Sequence, residues 1–178
     1  TGEEANGSMG NDTPVAARAA LHGEIARSLI AAGRTPAYVA PHLLQAAGSD
    51  SFTVETLRAA AREVQGSDAG GAALLLERAI ACSSDEATTD WLRVELARAL
   101  NRCGRPADAD VVIALVLKHA TEPALILEAR IEYIEARKWL GQVTPVVDRI
   151  VAMAERAGDL ESQARPVSGA RAGAARGQ

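Results

Sequence analysis

The chain has 178 residues, 48% of them hydrophobic and 24% charged, which is the ordinary range for one globular domain with a core of its own. A formal net charge of −4 and a pI near 5.4 lack the excess of Lys and Arg that a nucleic-acid footprint needs, and no stretch approaches the ~20 apolar residues of a membrane span. Alanine supplies 38 residues and aromatics only 3%, so the composition predicts close-packed helices of small and aliphatic side chains.

Residues 1–12, TGEEANGSMGND, are polar, glycine-rich and aperiodic, and read as a flexible lead-in or a cloning remnant. They have neither the basic start nor the apolar run of a secretory signal. Thr13 and Pro14 open a first helix over 14–32, with Leu21, Ile25 and Leu29 on one stripe and Gly33 as its stop. Thr35 and Pro36 start a second segment that ends at Gly48. Pro41 inside it has no N–H to give, so this helix is expected to bend or to start late.

Asp50 or Ser51 caps a third helix reaching Val64, with Gly66 ending it. The fourth spans 69–82, where the Gly70-Gly71 pair works against a regular start. Asp85 precedes a fifth helix to Arg102, carrying Leu92, Leu96 and Leu100 at i, i+4 spacing and stopped at Gly104. Pro106 opens a sixth, to His119. Thr121 and Pro123 open a seventh, to Leu140-Gly141, and Thr144-Pro145 an eighth, to Ala157-Gly158. Beyond Asp159 the chain is poor in bulk and rich in Gly and Arg, and reads as a disordered tail or the stump of a further helix. The folded domain is therefore expected over 13–158.

The second helix of each hairpin carries apolar or small residues at offsets 0, +4 and +7: Val39, Leu43, Ala46; Ala72, Leu76, Ala79; Ala109, Ile113, Val116; Val146, Ile150, Met153. Successive sets are 33, 37 and 37 residues apart, and Ala26, Ala59, Leu96 and Tyr133 each stand 13 residues before their set. A helical hairpin recurring near this length matches the tetratricopeptide period of about 34 residues. The expected fold is all-α: a tetratricopeptide-like right-handed solenoid of about four helical hairpins.

The stretches ARAALHGEIARSLIAAGRTPAYVAPHLLQAA, TLRAAAREVQGSDAGGAALLLERAIACSS and WLRVELARALNRCGRPADADVVIAL resemble the helical region behind the ATPase in large ATP-binding regulators of the LuxR family, over about residues 14–157. The resemblance implies the middle piece of such a regulator, between a nucleotide-binding module and a helix-turn-helix. An excess of Arg over Lys, 17 to 2, suits a high-GC bacterial source.

Catalytic patterns are missing from the sequence. The only lysines, Lys118 and Lys138, follow no GxxxxGK[ST] loop, and His22, His42 and His119 lack the spacing of metal-ligand motifs, so neither a cofactor nor a metal is expected. Cys82 and Cys103 fall near helix ends without a neighbouring His. They read as packing residues in a reducing, cytoplasmic setting. Glu128, Glu132 and Glu135 read as a solvated face partly matched by Arg137 and Lys138. The chain is expected to be no enzyme.

In tetratricopeptide geometry the concave groove is lined by the first helix of each hairpin. The repeat register places Glu24, Ser28, Leu57 and Ala61 on that face, then Trp91, Val94, Arg98 and Arg102, then Glu128, Ile131, Glu135, Lys138 and Trp139. The candidate groove is therefore Trp91, Val94, Arg98, Arg102, Glu128, Glu135, Lys138 and Trp139, mixing aromatics with both signs of charge. Against this, both tryptophans could equally be core between repeats. The function expected is a sensor and protein-interaction segment that binds a protein or small-molecule effector; the alternative is a general adaptor docking a peptide. Aliphatic bulk beyond one face's need predicts a homodimer through residues 124–157.

Overall fold

The computed structural model describes residues 14–142, and among them every regular element is an α-helix. There are seven: α1 (Val15–Ala31), α2 (Pro36–Gln45), α3 (Ser51–Val64), α4 (Ala69–Cys82), α5 (Glu86–Arg102), α6 (Pro106–His119) and α7 (Pro123–Trp139). The expected eighth helix, the lead-in and the tail lie outside the described residues, as does the Val146, Ile150, Met153 set. By its contacts the chain divides into two units at the Leu140–Gly141 boundary, and all seven helices belong to the first.

The starts follow from local chemistry. Thr35, Asp50, Asp68 and Asp85 each accept a hydrogen bond from the backbone N–H three residues on, at Tyr38, Thr53, Gly71 and Thr88, which satisfies one of the donors a helix start leaves free. Proline stands in the first turn of α2, α6 and α7, where its missing N–H costs nothing. Thr121 is not the cap of α7; Glu122 holds that position and its side chain makes no cap bond. Gly70 and Gly71 are accommodated, and a Cβ at Gly71 would overlap the capping Asp68 carboxylate. Pro41 stands inside α2 on its exposed side, and the helix starts at Pro36 and not late.

Helix ends are similarly specific. After α1 and α5 the chain turns through Gly33 and Gly104 at φ 78° and 80°. Arg34 N–H reaches back to Leu29 O and Arg105 N–H to Leu100 O, closing both helices with the same glycine cap. Gly66 has no positive φ; α3 ends at Val64, whose carbonyl accepts from both Ser67 and Asp68.

Each helix packs on the next in sequence, α5 also packs on α7, and α2 touches α4. The three described second-helix sets, Val39 to Val116, are all buried. Of the partner positions Ala26 and Leu96 are buried, while Ala59 and Tyr133 are half-buried. The core is aliphatic, with Leu43, Leu57, Leu76, Leu92, Leu100 and Ile113 as its largest sealed side chains. Arg137 adds a two-pronged ion pair from α7 to Asp110 of α6 at 2.7 and 3.1 Å. Both cysteines are free thiols, Cys82 buried and donating to Gly48 O.

Candidate ligand groove between α5 and α7

Helices α3, α5 and α7 are tied by arginine–glutamate rungs. Arg58 and Arg62, one turn apart on α3, both reach Glu95 Oε1 of α5, at 2.7 to 2.9 Å and 2.5 Å. One turn along α5 the pattern repeats toward α7: Arg98 Nε donates to Glu132 Oε1 at 2.6 Å and Arg98 Nη2 to Glu128 Oε2 at 2.7 Å. Asn101 completes the second rung, its Nδ2 donating to the Glu132 carbonyl at 3.1 Å and to Glu132 Oε2 at 3.3 Å. Those donors fix the carboxamide, leaving Asn101 Oδ1 buried and without a donor among the described residues.

Burial alone would raise the Glu95 pKa, but the hydrogen bonds and charges of Arg58 and Arg62 outweigh it and hold the carboxyl below its ordinary range. Burial likewise works against the Arg98 cation, yet Glu132 and then Glu128 raise its pKa further. Glu95 and Arg98 are therefore ionised at neutral pH.

Two open depressions flank the Arg98 side chain. One, of about 370 Å³, is lined by Arg58 and Arg62, by Trp91, Val94, Glu95 and Arg98, and by Ala124, Leu127 and Glu128. The other, of about 390 Å³, is lined by Arg98, Asn101, Arg102, Glu132, Glu135 and Trp139. Trp91 is half-buried against the core and its Nε1 donates to Glu122 at 3.3 Å, whereas Trp139 is 69% exposed. One tryptophan is thus core edge as well as groove wall, the other a free rim.

Seven of the eight residues expected in the groove line these depressions: Trp91, Val94, Arg98 and Glu128 the first, Arg98, Arg102, Glu135 and Trp139 the second. Lys138 lines neither and approaches Glu135 at 3.9 Å. Val94 contributes only as floor, being 1% exposed. Further along the predicted face, Leu57 and Ala61 are core residues, 0% and 1% exposed, because α2 and α4 both pack on α3. Glu24, Ser28 and Ile131 are exposed but outside both depressions. Glu132 corrects the solvated-face reading: it is 6% exposed and held by Arg98 and Asn101.

Arg58, Arg62, Glu95, Asn101 and Leu127 were not singled out by the sequence. A signal existed, since Glu95 and Glu132 are 37 residues apart, the spacing of the core sets. Carrying polar residues through the register, and not only apolar ones, would have singled out both glutamates, though not their arginines, which do not recur at that spacing.

Compared with known protein families, curated proteins and solved structures, the chain gives no match.

Proposed function

We propose that this helical array is a tetratricopeptide-like right-handed solenoid whose α5–α7 groove docks a protein segment or small-molecule effector, serving as the sensor and interaction segment of a LuxR-family regulator. The carrying observation is the pair of adjoining depressions on one face, each walled by a tryptophan and both sharing Arg98. Packing of each helix mainly on its chain neighbours supports an array in which one hairpin stacks on the next. The resemblance of its helical stretches supports the regulator. Action is by shifting conformer populations, with no bond made or broken.

The test is a thermal-shift and tryptophan-fluorescence screen of sugars, nucleotides and peptides. A binder that stabilises the chain, and is lost in Trp139→Ala and in Glu128→Gln, is the expected result; binders indifferent to both substitutions would remove the groove from the reading. A phosphate loop upstream and a helix-turn-helix downstream in the full gene would favour the regulator over a general peptide adaptor. Self-association through residues 124–157 is a further part of the proposal, supported by the exposure of Leu127, Ile131 and Ile134 on α7. Light scattering at micromolar concentration should report a dimer that Ile131→Glu disperses.

A further inference from the structure

His22 on α1 and His42 on α2 are twenty residues apart in sequence, yet their Nδ1 atoms face each other at 3.0 Å. The ring centroids are 5.2 Å apart with the planes inclined by 39°, and both side chains are half-buried. Two nitrogens at that separation cannot both carry a proton, and two bare lone pairs would repel. One Nδ1–H is therefore donated to the other ring's Nδ1. The pair holds a small Lewis acid, here a proton, between two imidazole lone pairs.

A divalent cation can use the same two nitrogens once the rings turn, because it sits about 1.4 Å off the line along which the hydrogen bond runs. With metal–nitrogen bonds of about 2.05 Å, a 3.0 Å separation sets an N–M–N angle of about 94°. A tetrahedral centre would need the nitrogens about 0.3 Å farther apart. The near right angle suits neighbouring corners of a square-planar or tetragonal centre, the geometry in which Cu²⁺ and Ni²⁺ take nitrogen ligands.

We propose that His22 and His42 form a two-imidazole site for Cu²⁺ or Ni²⁺ that staples α1 to α2. On binding, the ring that held its proton on Nδ1 carries it on Nε2 instead, by exchange with solvent, so both Nδ1 lone pairs face the metal. No cluster of three or more His, Cys, Asp or Glu occurs among the described residues, so of these residues none completes the coordination, and the proposal assigns the other positions to water. The pair escapes motif searches because its ligands come from two helices. The staple falls where it has most effect, since Ala26 is the sole buried residue of α1.

Calorimetric titration with NiCl₂ and thermal melting test this directly. One Ni²⁺ per chain, with a melting temperature a few degrees higher, is expected, and His22→Ala and His42→Ala should each weaken binding at least tenfold while His119→Ala changes nothing. His42→Asn keeps a hydrogen-bonding side chain and separates loss of ligand from loss of fold: it should melt near the parent and still lose the metal. The paramagnetic resonance spectrum of the Cu²⁺ complex should show coupling to two imidazole nitrogens, and to at most one in either alanine variant. Ni²⁺ binding that needs millimolar metal, or that survives in His22→Ala or His42→Asn, would overturn the site.

Discussion

Arg98 holds two carboxylates of α7 with one guanidinium, and one of them, Glu132, is almost wholly withdrawn from water. Removing one partner of such a pair leaves a buried charge uncompensated, so Arg98→Ala should cost about 3 kcal/mol in urea denaturation. Arg98→Lys should recover only part of that, because an ammonium cannot present two parallel donors in a fixed plane. The carboxylates also set the acid limit. Hydrogen bonds from Thr53 and Thr88 lower the pKa of the capping Asp50 and Asp85, and Arg58 and Arg62 lower that of Glu95 against its burial. A folded-state pKa below the unfolded one contributes stability that is complete above the unfolded value and lost as pH falls through the folded one. Urea midpoints should therefore be level above about pH 5 and drop below about pH 4, less steeply in Glu95→Gln. Which arginine would meet which glutamate was not legible in the sequence: solvated and buried glutamates look alike along a helix, and Glu132 is distinguished only by α5 packing over it.

At the scale of elements the punctuation was largely readable. Caps at Thr35, Asp50 and Asp85 and the prolines of α2, α6 and α7 stand where residue type alone puts them, since a helix start needs either an acceptor or a residue without an N–H. Glycines were harder, because a small residue and a left-handed one share a letter. Gly33 and Gly104 take positive φ and Gly66 does not. Gly104→Ala should accordingly lose about 1 kcal/mol, whereas Gly66→Ala, with open space around its Cβ, should gain about 0.5 kcal/mol by restricting the unfolded chain. Paired thermal melts of the two variants, moving in opposite directions, are the check.

At the scale of the molecule, burial is uneven among the described helices. Eight residues of α5 are buried against one of α1, which is tied on by Arg27 to Asp50 and by the same guanidinium over the Phe52 ring. Opening free energies follow such differences, so amide exchange should be fastest in α1 and slowest in α5. Exchange in α1 as slow as in α5 would contradict that ranking. The three described apolar sets were legible because the same offsets recur in each, and all nine of their residues are buried. Depth was not, since the register assigns Leu57 to the same face as Trp91 without saying that α2 and α4 close over α3.

The shared position of Arg98 has a thermodynamic consequence. If the proposed groove takes a negatively charged group beside Trp91, the part of that charge met by Arg98, and not by Arg58 or Arg62, competes with Glu128 and Glu132 and is withdrawn from the wall of the neighbouring depression beside Trp139. On that proposal, occupancy of one half through Arg98 would change affinity in the other, by the same factor in either direction. The two tryptophans make this reciprocity observable, for in Trp91→Phe the remaining indole reports on one half alone. Its emission should respond to charge placed at the far end of the groove, and Arg98→Ala should sever that link.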